Sequence, residues 1–131
     1  MSQRPNASLI RDALRAVARG EAETLKQLCA DGIQWHAMGR TPWAGDHEGF
    51  DAVLDYLGRV GEAADVYEAD LTDLLVSEER AATVMQVSAR RGDRRLEVQF
   101  VILYRIAEGK IAEVWSTPLD PHATDVFWAD L

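Results

Sequence analysis

His36 is the side chain in this sequence best suited to proton transfer near neutral pH. It stands in the short segment Ile33–Met38, and an imidazole has an ordinary pKa of about 6.5. A neighbouring carboxylate would orient the ring and raise its basicity. The sequence offers Asp120 and Glu113 as such partners. We therefore predict His36, Asp120 and Glu113 as candidate acid–base residues.

Each of these residues also has a structural interpretation. Side chains alternate along a strand, so either His36 or its neighbour Trp35 faces the interior, and the pattern alone does not choose. Asp120 precedes a proline and suits the cap of a turn or final helix. Glu113 can bond to Tyr104 across two strands. A structural His36 is as consistent with the sequence as a catalytic one.

Other kinds of chemistry find little support in the residue pattern. The single cysteine, Cys29, falls on the apolar side of a predicted helix, where a buried thiol behaves as a small apolar group. Asp46, His47 and Glu48 are consecutive, and consecutive residues seldom converge on one metal ion. We interpret Asp46 as a helix-start residue and predict neither a metal nor a cofactor.

The elements that must position these residues are helical first and strand-rich later. Apolar residues at helical spacing predict a helix over 9–17 that stops at Gly20, a short helix through Leu25 to Cys29 closed by Asp31-Gly32, and a third from Phe50 to Gly58 or Gly61. A strand over 33–38 and an irregular loop over 39–45 separate the last two. This order predicts an α+β domain, with three N-terminal helices packed on a curved antiparallel sheet.

From position 66 to 117 the apolar period becomes two, and turn signals divide this region into four strands of a meander. The clearest strand places alternate residues from Leu96 to Ile106 toward the helices. A two-residue turn at Gly92-Asp93 sets Met85 opposite Phe100. A two-residue turn at Glu108-Gly109 sets Tyr104 opposite Glu113 and Ile102 opposite Trp115, which places Glu113 and Trp115 on the covered face.

The covered face and the helices are expected to enclose an internal apolar pocket. Aromatic side chains from separate segments suit a flat, hydrophobic ligand, and Arg40 suits a ligand carboxylate or phenolate. The predicted ligand-binding residues are Trp43, Trp115, Tyr104, Met85, Phe100, Ile102, Tyr56 and Arg40.

The opposite sheet face is predicted to be half apolar and to form a homodimer. The apolar residues assigned to it are Val84, Val101, Leu103, Ala112 and Val114. A monomeric sheet face with scattered apolar side chains is the alternative.

Composition limits the remaining partners. The 131 residues include 22 acidic and 14 basic side chains, for a net charge of −8. A chain with this net negative charge has no electrostatic basis for binding the phosphate backbone of nucleic acid. No stretch approaches the roughly 20 apolar residues that span a bilayer, and no apolar signal core is present, so no membrane partner and a cytoplasmic location are expected. One domain over 1–131 is expected from the length.

The arrangement of elements resembles the NTF2-like superfamily, and within it the SnoaL-like branch. The resemblance rests on Ala18-Arg19-Gly20-Glu21, Ile33-Gln34-Trp35-His36, the Gly39 to Gly49 loop, Tyr104-Arg105-Ile106 through Gly109-Lys110-Ile111, and Glu113-Val114-Trp115. It implies a cone-shaped fold with a pocket. Because members include isomerases, cyclases and noncatalytic binders, it does not imply one reaction.

Two branches of that superfamily imply different site residues. In the likeness to ketosteroid isomerases, His36 falls at the position of the base, whereas Ala13 and Ile102 replace the oxyanion-binding residues. In the likeness to polyketide cyclases, Asp120 matches the aspartate, whereas no histidine lies on the preceding strand. The sequence therefore predicts binding of a small hydrophobic ligand, with cofactor-free cyclase, isomerase or hydratase chemistry as one interpretation and noncatalytic binding or dimerisation as the other.

Overall fold

Over residues 4–131, the part of the chain that it describes, the computed structural model contains four helices and six strands. In chain order they are α1 Arg4–Arg19, α2 Ala22–Leu28, β1 Cys29–Ala37, β2 Gly45–Glu48, α3 Phe50–Ala63, β3 Val66–Val76, β4 Arg80–Arg91, β5 Arg94–Ala107, β6 Lys110–Pro118 and α4 Pro121–Phe127. The α+β class and the helical layer on a sheet are confirmed. The fourth helix, α4, follows the sheet and adds to the three predicted N-terminal helices.

The strands form one sheet in the order β2-β1-β6-β5-β4-β3. Strands β3 to β6 make the predicted antiparallel meander. The sheet is antiparallel as predicted except at one pair, where β1 runs parallel to β6. Parallel neighbours need a long connection, and here it consists of β2, α3 and the meander itself.

The first helices follow the predicted pattern with shifted ends. Helix α1 ends at Arg19, and Gly20 follows with a φ of 67°, a left-handed conformation that glycine adopts without strain. Helix α2 ends at Leu28, so the prediction that Asp31-Gly32 closes it is wrong. Cys29 is the first residue of β1 rather than a helical residue, although it is buried as expected.

The segment before α3 is also different from the prediction. Asp46 lies in strand β2, which pairs with β1, and Gly49 rather than Asp46 precedes the helix. Helix α3 then continues past both Gly58 and Gly61 to Ala63, because its apolar side packs on the sheet.

The register of the meander is confirmed in one hairpin and wrong in the next. Met85 pairs with Phe100, as predicted. In the β5–β6 hairpin, Ile106 pairs with Ile111, but the pairing then shifts and Arg105 lies opposite Glu113. Ala112 is the additional residue of this β-bulge, and one additional residue sends every later side chain of β6 to the other face.

This bulge reverses the predicted faces of β6. Tyr104 pairs with Val114 and Leu103 pairs with Trp115, so Glu113 and Trp115 lie on the face away from the helices. The assignment of Val114 to that outer face is likewise wrong, because Val114 is 1% exposed inside the core. Ala112 is also buried.

Two apolar clusters lie between the helices and the sheet. The larger joins α1, α2 and α3 to the inner face of the sheet and includes Ile10, Ile33 and Val53. The smaller lies at the other end, where Phe127 and Trp128 of the C-terminal segment pack on β4 and β5. A cavity lies between these clusters and is lined by members of both.

We expect Ile10→Ala to lower the free energy of unfolding by about 2–5 kcal/mol, since it removes a fully buried side chain from α1. Val17→Ala on the same helix changes a side chain that is 43% exposed and should change this free energy by no more than about 0.5 kcal/mol. Urea denaturation measures both. Equal losses for the two variants would contradict the placement of α1.

Candidate ligand-binding cavity and the outer histidine network

A cavity of about 570 Å³ lies between helices α1 to α3 and the inner face of the sheet. This volume is in the range of small-molecule sites. Its walls are mostly aliphatic and aromatic, with contributions from all strands except β2. The exposed part of its lining comes from the end of α1 at Val17 and Ala18, from Gly61 near the end of α3, and from 68–70 of the edge strand β3. The mouth therefore lies between the two helix ends and β3.

Five of the eight residues predicted to bind a ligand line this cavity, namely Tyr56, Met85, Phe100, Ile102 and Tyr104. Trp43 lines a smaller adjoining cavity of about 40 Å³ and packs edge-on against Trp128, with ring centroids 5.4 Å apart. Trp115 lies on the outer face of the sheet because of the bulge. Arg40 is exposed in the loop between β1 and β2 and lines neither cavity.

A small polar group stands on the otherwise apolar wall formed by β1 and β6. The indole Nε1 of Trp35 donates a hydrogen bond to Oγ of Ser116 at 3.0 Å. The Tyr56 hydroxyl from α3 adjoins this pair, and hydrogen bonding to Ser116 and Trp35 opposes part of the rise that burial causes in the pKa of Tyr56. These three residues give the cavity a fixed polar position in a largely apolar wall.

Tyr67 of β3 supplies a second phenol to the same space. Burial raises its pKa well above the ordinary value, and the charge that an ionised Tyr56 would carry raises it further. Tyr56 and Tyr67 line both the main and the adjoining cavity. Both hydroxyls therefore stay protonated at neutral pH near the junction of the two spaces.

The ring of Tyr56 is held between two other aromatic rings. Trp35 lies 5.5 Å from it, and His47 of β2 stacks on it with ring centroids 4.4 Å apart. His47 is fixed in turn because its Nε2 donates to the carbonyl oxygen of Trp43 at 3.1 Å. Because β2 pairs with β1, Trp35 and His47 are cross-strand partners on the inner face.

Two further titratable groups border the cavity and are held in the neutral form. The hydroxyls of Tyr104 and Thr83 share a buried hydrogen bond of 3.1 Å, and burial raises the pKa of Tyr104 to about 12. Burial raises the pKa of the Cys29 thiol to about 11. Neither group supplies a base at neutral pH.

His36 lies on the other face of the sheet, outside the cavity. It pairs with Asp46 on one side and with Trp115 on the other. Its Nδ1 is 2.6 Å from Oδ1 of Asp46 and its Nε2 is 2.6 Å from Oε2 of Glu113. Its ring stacks on Trp115 at 5.5 Å between centroids, and Arg105 Nε donates to the second oxygen of Glu113 at 3.2 Å.

This geometry stabilises the imidazolium form of His36. An ionised carboxylate only accepts hydrogen bonds, so both ring nitrogens must carry protons to satisfy their two partners. The hydrogen bond to Asp46 and then that to Glu113 raise the pKa of His36. The hydrogen bond from His36, with that from Arg105, lowers the pKa of Glu113. The outer network is therefore a chain of alternating charges that joins β2, β1, β6 and β5.

Asp120 is separate from both sites. It is the N-cap of α4, and its Oδ1 accepts a hydrogen bond from the backbone N–H of Ala123 at 3.0 Å. This is the capping role that the sequence offered as an alternative. Of the three predicted acid–base residues, the structure brings His36 and Glu113 together and leaves Asp120 apart.

Sequence reasoning did not identify Ser116, Tyr67 or His47 as site residues and left the orientation of Trp35 open. Alternation along β1 allowed Trp35 to face either side of the sheet. Ser116 was missed because the β-bulge, which was not predicted, places it on the inner face. Strand alternation in β3 was a usable signal for Tyr67, because Tyr67 pairs with Ala89 on the inner face. His47 carried no local signal, since its role depends on β2 pairing with β1.

Within residues 4–131, no group of three or more His, Cys, Asp and Glu side chains is arranged to hold a metal ion. Across the same residues, no helix has both the length and the apolar composition needed to cross a membrane.

A helical layer over a six-stranded curved sheet with a cavity between them defines the NTF2-like class of fold. An NTF2-like protein of Burkholderia xenovorans superimposes with a TM-score of 0.87 at 24% identity, covering 98% of each chain. Bal32a, from a soil-derived mobile gene cassette, superimposes with a TM-score of 0.90 at 30% identity, covering 96% of this chain and 98% of that one.

Within this class, the chain belongs to the SnoaL-like domain family, whose model matches residues 10–114. Uncharacterized proteins of Mycobacterium tuberculosis and Mycobacterium bovis are each 30% identical to it over 131 residues, covering 98% of this chain and all of theirs (100%). The resemblance stated from the sequence is confirmed at the level of fold and family.

The His36 network should make stability depend on pH. The pKa of His36 is raised in the folded protein. Its contribution to stability is complete at pH values below the unfolded-state pKa of about 6.5, and it is lost as the pH rises through the folded-state pKa. The pKa of Glu113 is lowered in the folded protein. This stabilises the folded state at pH values above the ordinary carboxyl pKa, and the stabilisation is lost as the pH falls through the folded-state pKa. We expect the stability advantage of the wild type over His36→Gln to be largest near pH 5.5–6.5 and to shrink at higher pH.

Urea denaturation between pH 5 and 9 measures this difference. His122→Gln, at an exposed position on α4, is the matched control for loss of a histidine. A wild-type advantage over His36→Gln that grows steadily with pH would contradict the charged network.

Proposed function

We propose that this SnoaL-like protein binds a small, largely hydrophobic molecule in the cavity between its helices and sheet. The observation that carries the proposal is an apolar space of about 570 Å³ with a few fixed polar groups on its wall. Burial of a ligand's apolar surface in such a space is favourable, and a few polar groups then fix its orientation.

The geometry favours binding without acid–base catalysis by the predicted residues. His36 and Glu113 lie on the outer face, and Asp120 caps α4. Among described residues, the only charged members of the lining are Glu68 and Asp70, whose strand positions pair with the outward-facing Ser88 and Gln86. A cofactor-free enzyme would need a base inside the cavity, and the described lining presents no charged side chain pointing inward.

A bulky residue at the mouth should block binding. Ala69 of β3 lies on the inner face opposite Val87 and lines the cavity. We expect Ala69→Trp to weaken binding of the neutral fluorescent probe N-phenyl-1-naphthylamine at least tenfold, because the indole occupies the entrance. Fluorescence titration of wild type and variant measures the dissociation constants.

Val66→Trp is the matched control for this experiment. It adds the same ring to the same strand at an outward-facing position that is 41% exposed and outside the cavity lining. It should bind the probe as the wild type does. Failure of the wild type to bind the probe would contradict the proposed function. Unchanged binding by Ala69→Trp would show that the probe sits elsewhere, and equal weakening in both variants would contradict the placement of the mouth at Ala69.

We also propose that the outer sheet face mediates a homodimer. A cross-strand row of apolar residues runs over this face through Leu75, Ala82, Leu103 and Trp115 and ends at His36. Leu75 is 56% exposed although it is a large apolar side chain. The charges beside the row alternate in sign, so two copies can meet there without concentrating the net negative charge of the chain.

Sedimentation velocity at micromolar concentration tests the dimer. We expect the wild type to sediment as a dimer and Leu103→Asp as a folded monomer, because a carboxylate in the centre of the row would be buried without a partner. Val126→Asp places the same charge at a 53% exposed position of α4 and should remain dimeric. A monomeric wild type would contradict the proposal.

A further inference from the structure

Hydroxyl groups gather at the junction between the main cavity and the small adjoining one. Five residues line both spaces, namely Tyr56, Val60, Tyr67, Phe100 and Ser116. Three of them carry hydroxyl groups. The junction therefore carries three of the hydroxyl groups that line a largely apolar wall.

The Tyr67 hydroxyl makes no hydrogen bond with any residue between positions 4 and 131. It is not among the fully buried polar atoms that lack a partner. Tyr67 lines both the main and the small cavity. Since burial keeps this phenol protonated, it presents an O–H donor to whatever occupies the space. A donor in an apolar environment without an acceptor costs free energy, which a ligand acceptor would recover.

Counting protons in the neighbouring polar group gives a second free donor. Trp35 donates its N–H to Ser116 Oγ. The hydroxyls of Ser116 and Tyr56 carry two protons, and at most one of them can be donated within the pair. Whichever hydroxyl donates within the pair, one O–H is left without an acceptor in this group.

A third unpaired donor belongs to a residue that lines the small cavity, although the donor atom itself is buried. The indole Nε1 of Trp43 is buried and has no hydrogen-bond partner among the described residues. Trp43 lines the small cavity together with Tyr56 and Tyr67. The volume of about 40 Å³ there is enough for a carbonyl group or a water molecule.

We propose that Tyr56 and Tyr67 bind an uncharged acceptor oxygen of the ligand, the carbonyl of a ketone, ester or amide, at this junction. The inference rests on the proposed function and names the class of ligand. The hydrophobic body of the ligand lies in the main cavity toward the mouth at β3, and the carbonyl points to the Tyr56–Ser116–Trp35 group. A carbonyl oxygen has two lone pairs and can accept hydrogen bonds from two O–H donors.

The same wall selects against other ligands. A hydrocarbon leaves the two donors unsatisfied. A carboxylate or sulfonate gains hydrogen bonds but must lose its hydration where no lysine, arginine or histidine lines the main cavity among the described residues. The site therefore favours neutral carbonyl compounds over both.

Three fluorescent probes test this selectivity. Prodan is a neutral naphthyl ketone whose emission moves to longer wavelength when its carbonyl accepts a hydrogen bond. N-phenyl-1-naphthylamine is neutral and has no carbonyl, and 1-anilinonaphthalene-8-sulfonate adds a sulfonate to the same skeleton. We expect the wild type to bind the two neutral probes and to bind the sulfonate at least tenfold more weakly than N-phenyl-1-naphthylamine.

The variants Tyr67→Phe and Tyr56→Phe each remove one donor and keep the ring. Each should weaken Prodan binding about two- to tenfold, the effect of one net hydrogen bond, and move its bound emission to shorter wavelength. Binding of N-phenyl-1-naphthylamine should not change. Tyr104→Phe removes a hydroxyl of the same cavity that is already bonded to Thr83, so the bound Prodan emission should keep its wild-type wavelength.

The outcomes separate this inference from the proposed function. Binding of N-phenyl-1-naphthylamine with no effect of either tyrosine variant on Prodan overturns the carbonyl site and leaves the apolar cavity standing. Binding of neither neutral probe by the wild type overturns both. Circular dichroism checks that each variant folds. If one variant does not fold, the other variant and the comparison with the sulfonate test the inference, because tight binding of the sulfonate also contradicts a neutral site.

Discussion

One additional residue in β6 decides which chemistry faces the cavity. The bulge at Ala112 changes the alternation of the strand, so that Glu113 and Trp115 lie outside while Val114 and Ser116 lie inside. Had the strand paired without it, a carboxylate would stand under the helices and a serine would face outward. The neutral character of the cavity and the charged network of the outer face therefore have the same cause.

The two faces of the sheet carry polar groups of different charge. Inside, polar groups are neutral hydroxyls and indoles, because a charge buried without a partner would cost several kcal/mol or more. Outside, His36 has carboxylates on both ring nitrogens and an arginine completes the chain. These groups remain partly hydrated, which lowers the cost of keeping them ionised. The network ties the short strand β2 to the body of the sheet, and β2 in turn holds His47 against Tyr56.

The cavity persists because both ends of the molecule are packed independently. One cluster joins α1, α2 and α3 to the sheet, and the other joins the C-terminal segment to β4 and β5. An unfilled space forgoes packing contacts, so a fold that keeps one gives up stability that a solid core would provide. Binding a ligand of matching shape would restore those contacts, and this physical reason links the open interior to the proposed function.

Local chemistry in the sequence determined much of the architecture. Helical spacing with Gly20 as a stop predicted α1, alternation predicted the inner face of β5, and Gly92-Asp93 set Met85 opposite Phe100. Alternation along β5 also predicted that Phe100 faces the helices, where it lines the cavity, since this period depends on neighbours along the chain. The tertiary structure decided the orientation of Trp35 and His36, the pairing of β2, the parallel contact of β1 with β6 and the bulge at Ala112. These depend on contacts between distant segments, whose free energies no local pattern encodes, and a shift of one residue there exchanges the inside of a strand for its outside.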